Sequence, residues 1–406
     1  MAAFFRRRRY AGAKDRAAIT ALFYEIMRRR AWLEWRLANV GGGHADSRAL
    51  VLTQLADAAV PAVPDHEIAA LFDGSDHAPP LLTIEEQAVA QMLRRPASGT
   101  PPPSVAGNYP GWLHPALERR FGPALASEMA ALNERAPVDL RVNTMIADRS
   151  DVLERLAAEG IVAAPHRFSR TGIRLEGNPR LENDALYKEG AIEIQDEGSQ
   201  IIAALVGAAP GQTIIDYCAG AGGKTLAIGA AMQDRGILIA CDVDLGRMRE
   251  LAPRVRRAGL TIVSCRPASE LGSSETGPLA DRVLVDAPCS GTGTWRRHPV
   301  ARWQMTEEIL IKYMTLQDEI LESGSRNVKP GGRLVFATCS VLREEGADRI
   351  EAFLARRSDF APVGVSSLWR DSLDGDCPAS GPFLDLSPAS SGTDGFFVAV
   401  LERRTT

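Results

Sequence analysis

Thr213-Ile-Ile-Asp-Tyr-Cys-Ala-Gly-Ala-Gly-Gly-Lys-Thr225 decides the fold. A short apolar run ends in an acid, Gly220, Gly222 and Gly223 follow, and a helical pattern then begins. Such a change of pattern across glycines reads as strand, tight turn, helix. Glycine lets the backbone turn sharply and approach a ligand with no Cβ in the way. The next apolar run, Gly236-Ile-Leu-Ile-Ala-Cys-Asp242, ends 19 residues beyond Gly223. At that spacing an acid reaches a ribose diol in Rossmann-like sites.

Three ligands compete for the turn. A P-loop requires Gly-x-x-x-x-Gly-Lys-Thr, and Cys218 stands where the first glycine belongs. A dinucleotide turn requires Gly-x-Gly-x-x-Gly; Gly220 and Gly222 fit, but Thr225 holds the third position. An adenosyl cofactor without a pyrophosphate, such as S-adenosylmethionine, needs only the turn and the ribose acid. A plain strand–helix connector is the bland alternative, and Asp242 argues against it.

Working outward, apolar runs at 261–265, 282–286, 333–338 and 396–401 alternate with helical stretches at 224–232, 245–258, 306–328 and 345–356. From about residue 199 the chain is expected to form an α/β, doubly wound, Rossmann-like parallel sheet, with the last strand at one edge. Two of the runs lead into cysteines: Asp286-Ala-Pro-Cys289-Ser-Gly and Ala337-Thr-Cys339-Ser340. The carboxyl ends of parallel strands form the ligand crevice of an open sheet. Both thiols are therefore expected to open into one site.

Residues 15–95 show helical spacing and no strand signal. Ile19, Leu22, Phe23, Ile26 and Met27 share one face, and further helices are expected at 47–58, 66–72 and 84–93. Pro96-Ala-Ser-Gly-Thr-Pro-Pro-Pro-Ser104 favours extended backbone and reads as a linker over 96–108. Residues 109–198 read as a small α+β subdomain, with helices at 115–120, 123–133 and 151–159 and strands at 140–143, 161–164 and 172–175. The expected domains are thus 1–95, 96–108, 109–198 and 199–406.

Composition excludes several classes. With 406 residues, 45% hydrophobic and 24% charged, the chain reads as an ordinary soluble protein. It has no apolar run of about 18 residues to span a membrane, and its start does not read as a secretory signal. Six cysteines without a Cys-x-x-Cys pair imply neither a zinc site nor a disulfide framework; free thiols in a reducing cytoplasm are expected. The net charge of −4 argues against generic polyanion binding. Residues 1–30 nevertheless hold nine Lys/Arg against two acids, beside Phe4, Phe5 and Tyr10. That end can grip nucleic acid by charge and stacking; a solvated helix face with a frayed terminus explains it equally well.

A thiolate beside a methyl donor restricts the chemistry. Carbon five of cytosine is too weak a nucleophile to take a methyl group directly. A thiolate adding to carbon six makes an enamine whose carbon five is nucleophilic, and loss of the carbon-five proton later expels the thiolate. This chemistry needs an activated thiol, a proton donor at the third ring nitrogen, and a base removed from any stack. Asp286, in protonated form, suits the ring nitrogen. Lys224 suits the methionine end of the cofactor or the electrostatics of the reaction.

The chain resembles the RsmB/Sun family of RNA 5-methylcytosine methyltransferases. The likeness covers about 105–402 and rests on Cys218-Ala-Gly-Ala-Gly-Gly-Lys224, Asp242-Val-Asp-Leu-Gly-Arg-Met248, Asp286-Ala-Pro-Cys-Ser-Gly-Thr-Gly293 with Arg296-Arg-His-Pro299, and Thr338-Cys-Ser340. Leu140-Arg-Val-Asn143, Gln195-Asp-Glu-Gly-Ser-Gln200 and Thr393-Asp-Gly-Phe-Phe397 add to it. The resemblance implies that Cys339 is the nucleophile and that Cys289 assists release of the methylated base. In DNA cytosine methyltransferases a Pro-Cys cysteine is itself the nucleophile, so local context alone leaves the order open.

The resemblance also implies a cofactor pocket for S-adenosylmethionine lined by Cys218, Ala219, Gly220, Ala221, Gly222, Gly223, Lys224, Asp242 and Asp286. It implies an RNA-recognition-like extension before the sheet and a NusB-like RNA-binding domain at the N-terminus, the latter on Lys14-Asp-Arg16 and the stretch 24–30. The family places an acid after the third strand, near the adenine; here the segment reads Cys265-Arg-Pro-Ala-Ser-Glu270. Arg296 and Arg297 are expected to touch RNA. The expected substrate is small-subunit ribosomal RNA, with transfer RNA second and a non-catalytic assembly factor as the alternative. The expected enzyme is monomeric, cytoplasmic and metal-free.

Other residues carry bland expectations. Cys218, Cys241 and Cys265 read as small core residues, Cys377 as inert in a loop, and His166 as a surface residue. His298 is placed near RNA phosphate. Arg254, Arg256 and Arg257 read as a solvated helix face.

Overall fold

Period-two alternation in the apolar runs builds the central sheet. In the computed structural model, residues 2–8, 10–59, 61, 63–181, 183–242, 245–271 and 280–405 are described. Arg9 of the basic start, and Val243 and Asp244 after the ribose acid, lie outside them. Twelve strands are described: β1 Val138–Val142, β2 Ala163–Pro165, β3 Gly172–Leu175, β4 Ile192–Ile194, β5 Thr213–Asp216, β6 Ile237–Asp242, β7 Val263–Pro267, β8 Ala280–Asp286, β9 Val328–Thr338, β10 Phe360–Val363, β11 Leu384–Leu386 and β12 Phe396–Arg403. The eight-stranded sheet has the order β10-β12-β9-β8-β5-β6-β7, with β11 pairing β12.

Strands β5 to β9 pair in parallel, as the alternation of strands and helices implies. Ile215, Ile239, Val283, Val285 and Phe336 enter one core cluster. Their chain neighbours Ile214, Leu238, Leu284, Val335 and Ala337 enter another. The sheet is therefore covered on both faces, and each buried aliphatic side chain contributes about 1.5–3 kcal/mol. One expectation fails. Strand β12 is not an edge: it lies antiparallel between β9 and β10. Its alternate residues feed both cores, which is why it reads as a continuous apolar run.

The chain divides into two compact units: Met1–Glu134 with His298–Gln304, and Arg135–Arg297 with Met305–Thr406. The second unit also holds a small antiparallel sheet, β2-β3-β1-β4, around Leu140, Val142, Val152, Leu156, Ile173 and Ile192. Strand β4 gave no signal in sequence because three residues are too few to show a period.

The first unit is helical. Its long helix Ala13–Asn39 turns Arg29 and Arg36 onto the buried carboxylate of Asp57. Part of the basic N-terminal run is thus internal structure rather than a solvated face. The linker expected over 96–108 also meets a correction. Pro103–Ala106 is a helical turn with proline in the first turn, where its missing N–H costs nothing. Asn108 is buried; its Oδ1 accepts from Ala31 N at 3.0 Å. Its Nδ2 donates to Met27 O at 3.2 Å. Among the described residues no helix is long and apolar enough to cross a membrane.

Candidate active site

Strands β5 and β8 are parallel neighbours, and the chain leaves them toward opposite sides of the sheet. A crevice opens at the carboxyl ends of such a pair. The turn after β5 lies there. Gly220 and Gly222 have φ of 53° and 85°, left-handed values that favour glycine. A Cβ on Gly222 would also stand 2.1 Å from Leu251. Asp242, at the end of β6, accepts from Gly220 N at 2.8 Å. Arg254 donates to Ala221 O at 2.6 Å and to Glu193 at 2.8 Å, and Arg257 pairs with Glu193 as well. Arg254 thus braces the turn and Arg257 ties the same helix to Glu193, contrary to the solvated face expected of them.

Cys218, Ala219, Ala221, Gly223 and Lys224 are partly open, while Gly220 and Gly222 are buried. Burial, then the charges of Asp286, Asp216 and Asp242, push the Cys218 thiol well above its ordinary value. Lys224 Nζ donates to Asp286 Oδ2 at 2.7 Å. Burial would lower the Lys224 ammonium, but Asp286 more than offsets it and its pKa is raised. The Asp286 carboxylate thus pairs with a cation, where sequence reasoning placed a protonated carboxyl. Asp216, at the end of β5, is buried and pushed up to about 7, mainly by burial.

The two cysteines meet. Cys289 Sγ lies 3.3 Å from Cys339 Sγ, and both residues are half-buried. The register explains this: Asp286 pairs with Ala337 across β8 and β9, so each cysteine follows just past its strand end. Hydroxyls stitch the two turns together. Thr292 Oγ1 lies 2.9 Å from Ser340 Oγ and accepts from Val341 N at 3.0 Å. Gly293 N donates to Cys339 O at 3.0 Å. A Cβ on Gly293 would collide with the Gly395 carbonyl, so the close approach of these segments requires glycine.

Sequence reasoning missed Glu345. This fully buried carboxylate accepts from Ser290 N at 2.8 Å, from Ser290 Oγ, and from Gln317 Nε2 at 3.0 Å. It stands six residues after Cys339 and grips the residue after Cys289. The one available signal was the cluster of Ser290, Thr292 and Ser340 hydroxyls around both cysteines, which requires acceptors if buried.

Arg296 and Arg297 correct an expectation. Rather than reaching outward to RNA, they form an internal clamp. Arg296 Nε donates to Asp394, and Arg297 donates to Asp394 Oδ2 at 2.5 Å and to Asp196 Oδ2 at 3.0 Å. Arg296 is buried and Arg297 partly so. Burial and then Asp394 push Asp196 up to about 6. His166 is likewise internal, 3.2 Å from Asp139, and Cys265 is exposed on β7 rather than in the core. Cys241 is buried as expected, and Cys377 packs against one core cluster. His298 is exposed, and Glu270 is exposed at the end of a single 3-10 turn. Among the described residues no cluster of three His, Cys, Asp or Glu can hold a metal ion.

A glycine turn, a ribose-spaced acid and strand-end thiols on this sheet define a Rossmann-like methyltransferase. Known proteins narrow that class. Residues 203–402 match the family described as 16S rRNA methyltransferase RsmB/F, and residues 109–182 match its ferredoxin-like domain. Ribosomal RNA small subunit methyltransferase B of Xylella fastidiosa (strain 9a5c) is 31% identical over 399 residues, covering 96% of this chain and 92% of that one. The crystal structure of PH0851 has 26% identity and a TM-score of 0.79, covering 98% of this chain and 93% of its own. A methyltransferase homologue from Pyrococcus horikoshii has 25% identity and a TM-score of 0.63, covering 74% and 97%. The chain belongs to the RsmB/F methyltransferase family.

Proposed function

We propose that this chain transfers a methyl group from S-adenosylmethionine to carbon five of a cytidine in structured RNA, namely small-subunit ribosomal RNA. The observation that carries the reading is the 3.3 Å approach of Cys289 and Cys339 at the crevice. The curated relative's name supports the choice of RNA. The residues present fit the cofactor: left-handed glycines leave the turn free of Cβ atoms, and Asp242 is fixed against that turn. Cys218–Lys224, Asp242 and Asp286 would hold it. When bound, it supplies the electrophilic methyl group.

Cys339 adds to carbon six of the flipped-out base, which makes carbon five nucleophilic. Asp286 faces the third ring nitrogen, with Lys224 beside it as the source of the proton. After methylation the carbon-five proton passes to water, its electron pair re-forms the double bond to carbon six, and the Cys339 thiolate departs. Cys289 assists that release, its S–H stabilising the departing sulfur. In the helical unit, Arg6, Arg7 and Lys14 are exposed and available to RNA phosphates.

Tritium transfer from labelled cofactor to RNA tests the reading. Cys339→Ala should abolish transfer, and Cys289→Ala should accumulate a denaturation-resistant protein–RNA adduct. If Cys339→Ala stays active while Cys289→Ala is inactive without an adduct, the roles are reversed. Bisulfite sequencing of RNA from a deletion strain separates ribosomal from transfer RNA.

A further inference from the structure

The two thiols do not face equivalent surroundings. Behind Cys289 lies Glu345, a fully buried carboxylate seated on the backbone N–H and hydroxyl of Ser290. Gln317, the other side chain that touches this carboxylate, is neutral and also donates to Pro288 O at 2.9 Å. Ahead of the thiols lies the Lys224–Asp286 pair. Lys224 also interacts with Cys339, after Asp286 and Asp216, in a way that favours the ammonium. Among the described residues the ionisable groups that bear on the pair are thus Glu345 at Cys289 and Lys224, paired with Asp286, at Cys339.

We propose that Glu345 is a positioning residue that keeps Cys289 as a protonated S–H donor, so that Cys339 carries the thiolate. A buried negative charge seated on Ser290, the residue after Cys289, opposes ionisation of that thiol. The remaining proton then lies between the sulfurs, donated from Cys289 to Cys339. The same S–H meets the Cys339 sulfur when it leaves carbon six, and the proton stays on Cys289 throughout. The asymmetry supplies a physical reason for the division of roles, which local sequence left open. In accord with it, the Cys289 thiol is raised well above its ordinary value, first by its hydrogen bond to Cys339, then by burial, and further by Glu345.

The inference rests on the two-cysteine reading above, and its test needs neither RNA nor cofactor, so the two can fail separately. Iodoacetamide labelling of the full chain under single-hit conditions, resolved by peptide mass spectrometry, reports each thiolate against pH. In the native protein Cys339 should label at lower pH than Cys289. Glu345→Gln keeps an acceptor for Ser290 N and removes the charge; the Cys289 rate at pH 8 should rise about tenfold, one pKa unit. Ser290→Ala keeps the charge and removes the hydroxyl with its bonds to Glu345, Thr292 and Ser340; the Cys289 rate should stay within about twofold, a much smaller change than a pKa unit. Equal rises in both variants would make the role geometric and overturn the proposal. So would an unchanged Cys289 rate in folded Glu345→Gln. If Glu345→Gln does not fold, the native order decides: Cys289 labelling first overturns the idea, and Cys339 labelling first supports it.

Discussion

Asp57 in the helical unit and Asp216 at the end of β5 are both almost wholly buried carboxylates, yet their surroundings treat them in opposite ways. Asp57 accepts from Trp32 Nε1 at 2.6 Å, Arg36 Nε at 3.0 Å and Arg29 Nη2 at 2.5 Å. Burial pushes its pKa up, and these donors more than reverse that, leaving it lowered. Asp216 accepts from Thr225 Oγ1 at 2.7 Å, and its other oxygen has no hydrogen-bond partner among the described residues. Its pKa rises to about 7. A carboxylate with every partner supplied holds a fold together. One left short of partners lowers stability, and such groups gather where a ligand is to be met. After burial and the Thr225 hydrogen bond, the charges of Asp286, Lys224 and Asp242 alter the titration of Asp216.

The largest effect expected from this contrast lies in the crevice. Lys224→Ala should lower methyl transfer by about 10²–10⁴-fold, the range for a positioned proton-transfer group. Stability should fall by only about 1 kcal/mol, because Asp286 keeps 28% of its side chain open to water. Tritium transfer and urea denaturation of the same preparation read the two quantities. A large loss of stability with intact turnover would erase the distinction between the regions.

Asp57→Ala should do the reverse. Removing the anion leaves Arg36, 2% exposed, without its buried counter-charge, a loss of about 3–5 kcal/mol. Hydrogen exchange should show faster opening of the helix Ser47–Ala56 in the full chain, with β5 and β8 protected as before. A cost below about 1 kcal/mol would mean that the hub is no better than a surface pair.

The two regions also differ in how much their sequence discloses. The sheet was legible because a strand buried on both faces is a run of apolar residues closed by a glycine turn, as at 213–225. The meeting of Cys289 and Cys339 followed from two such runs being parallel neighbours. Position β12 was misjudged because an apolar run does not encode its neighbours or direction. Arginine and histidine were the weakest signals. Arg29, Arg36, Arg254, Arg257, Arg296 and Arg297 all pair inward with carboxylates distant in sequence. Charge in a linear sequence does not reveal whether its partner is water, phosphate or a buried acid. Glu345 was hidden for the same reason: its meaning depends on Ser290, 55 residues away.

The last and smallest effect sharpens the comparison at Asp216 itself. Its carboxyl titrates at about 7 in the folded chain against an ordinary value of 3.8. Below pH 3.8 both states are protonated and the group is neutral in its effect. Between about 4 and 7 the unfolded chain releases the proton that the folded chain retains, so stability falls as pH rises and levels off above 7. Asp216→Asn keeps an oxygen for Thr225 and has no proton to lose. Its denaturation midpoint should therefore be nearly flat over this window, with a gain of about 2–4 kcal/mol over the native chain at pH 8. Urea titrations of the full chain at pH 4.5, 6 and 8 measure this directly. If Asp216→Asn is instead less stable at pH 8, partners hold the ionised carboxylate and it titrates well below 7 in the folded chain. Asp216 would then belong with Asp57, and the contrast between the two regions would lose its physical basis.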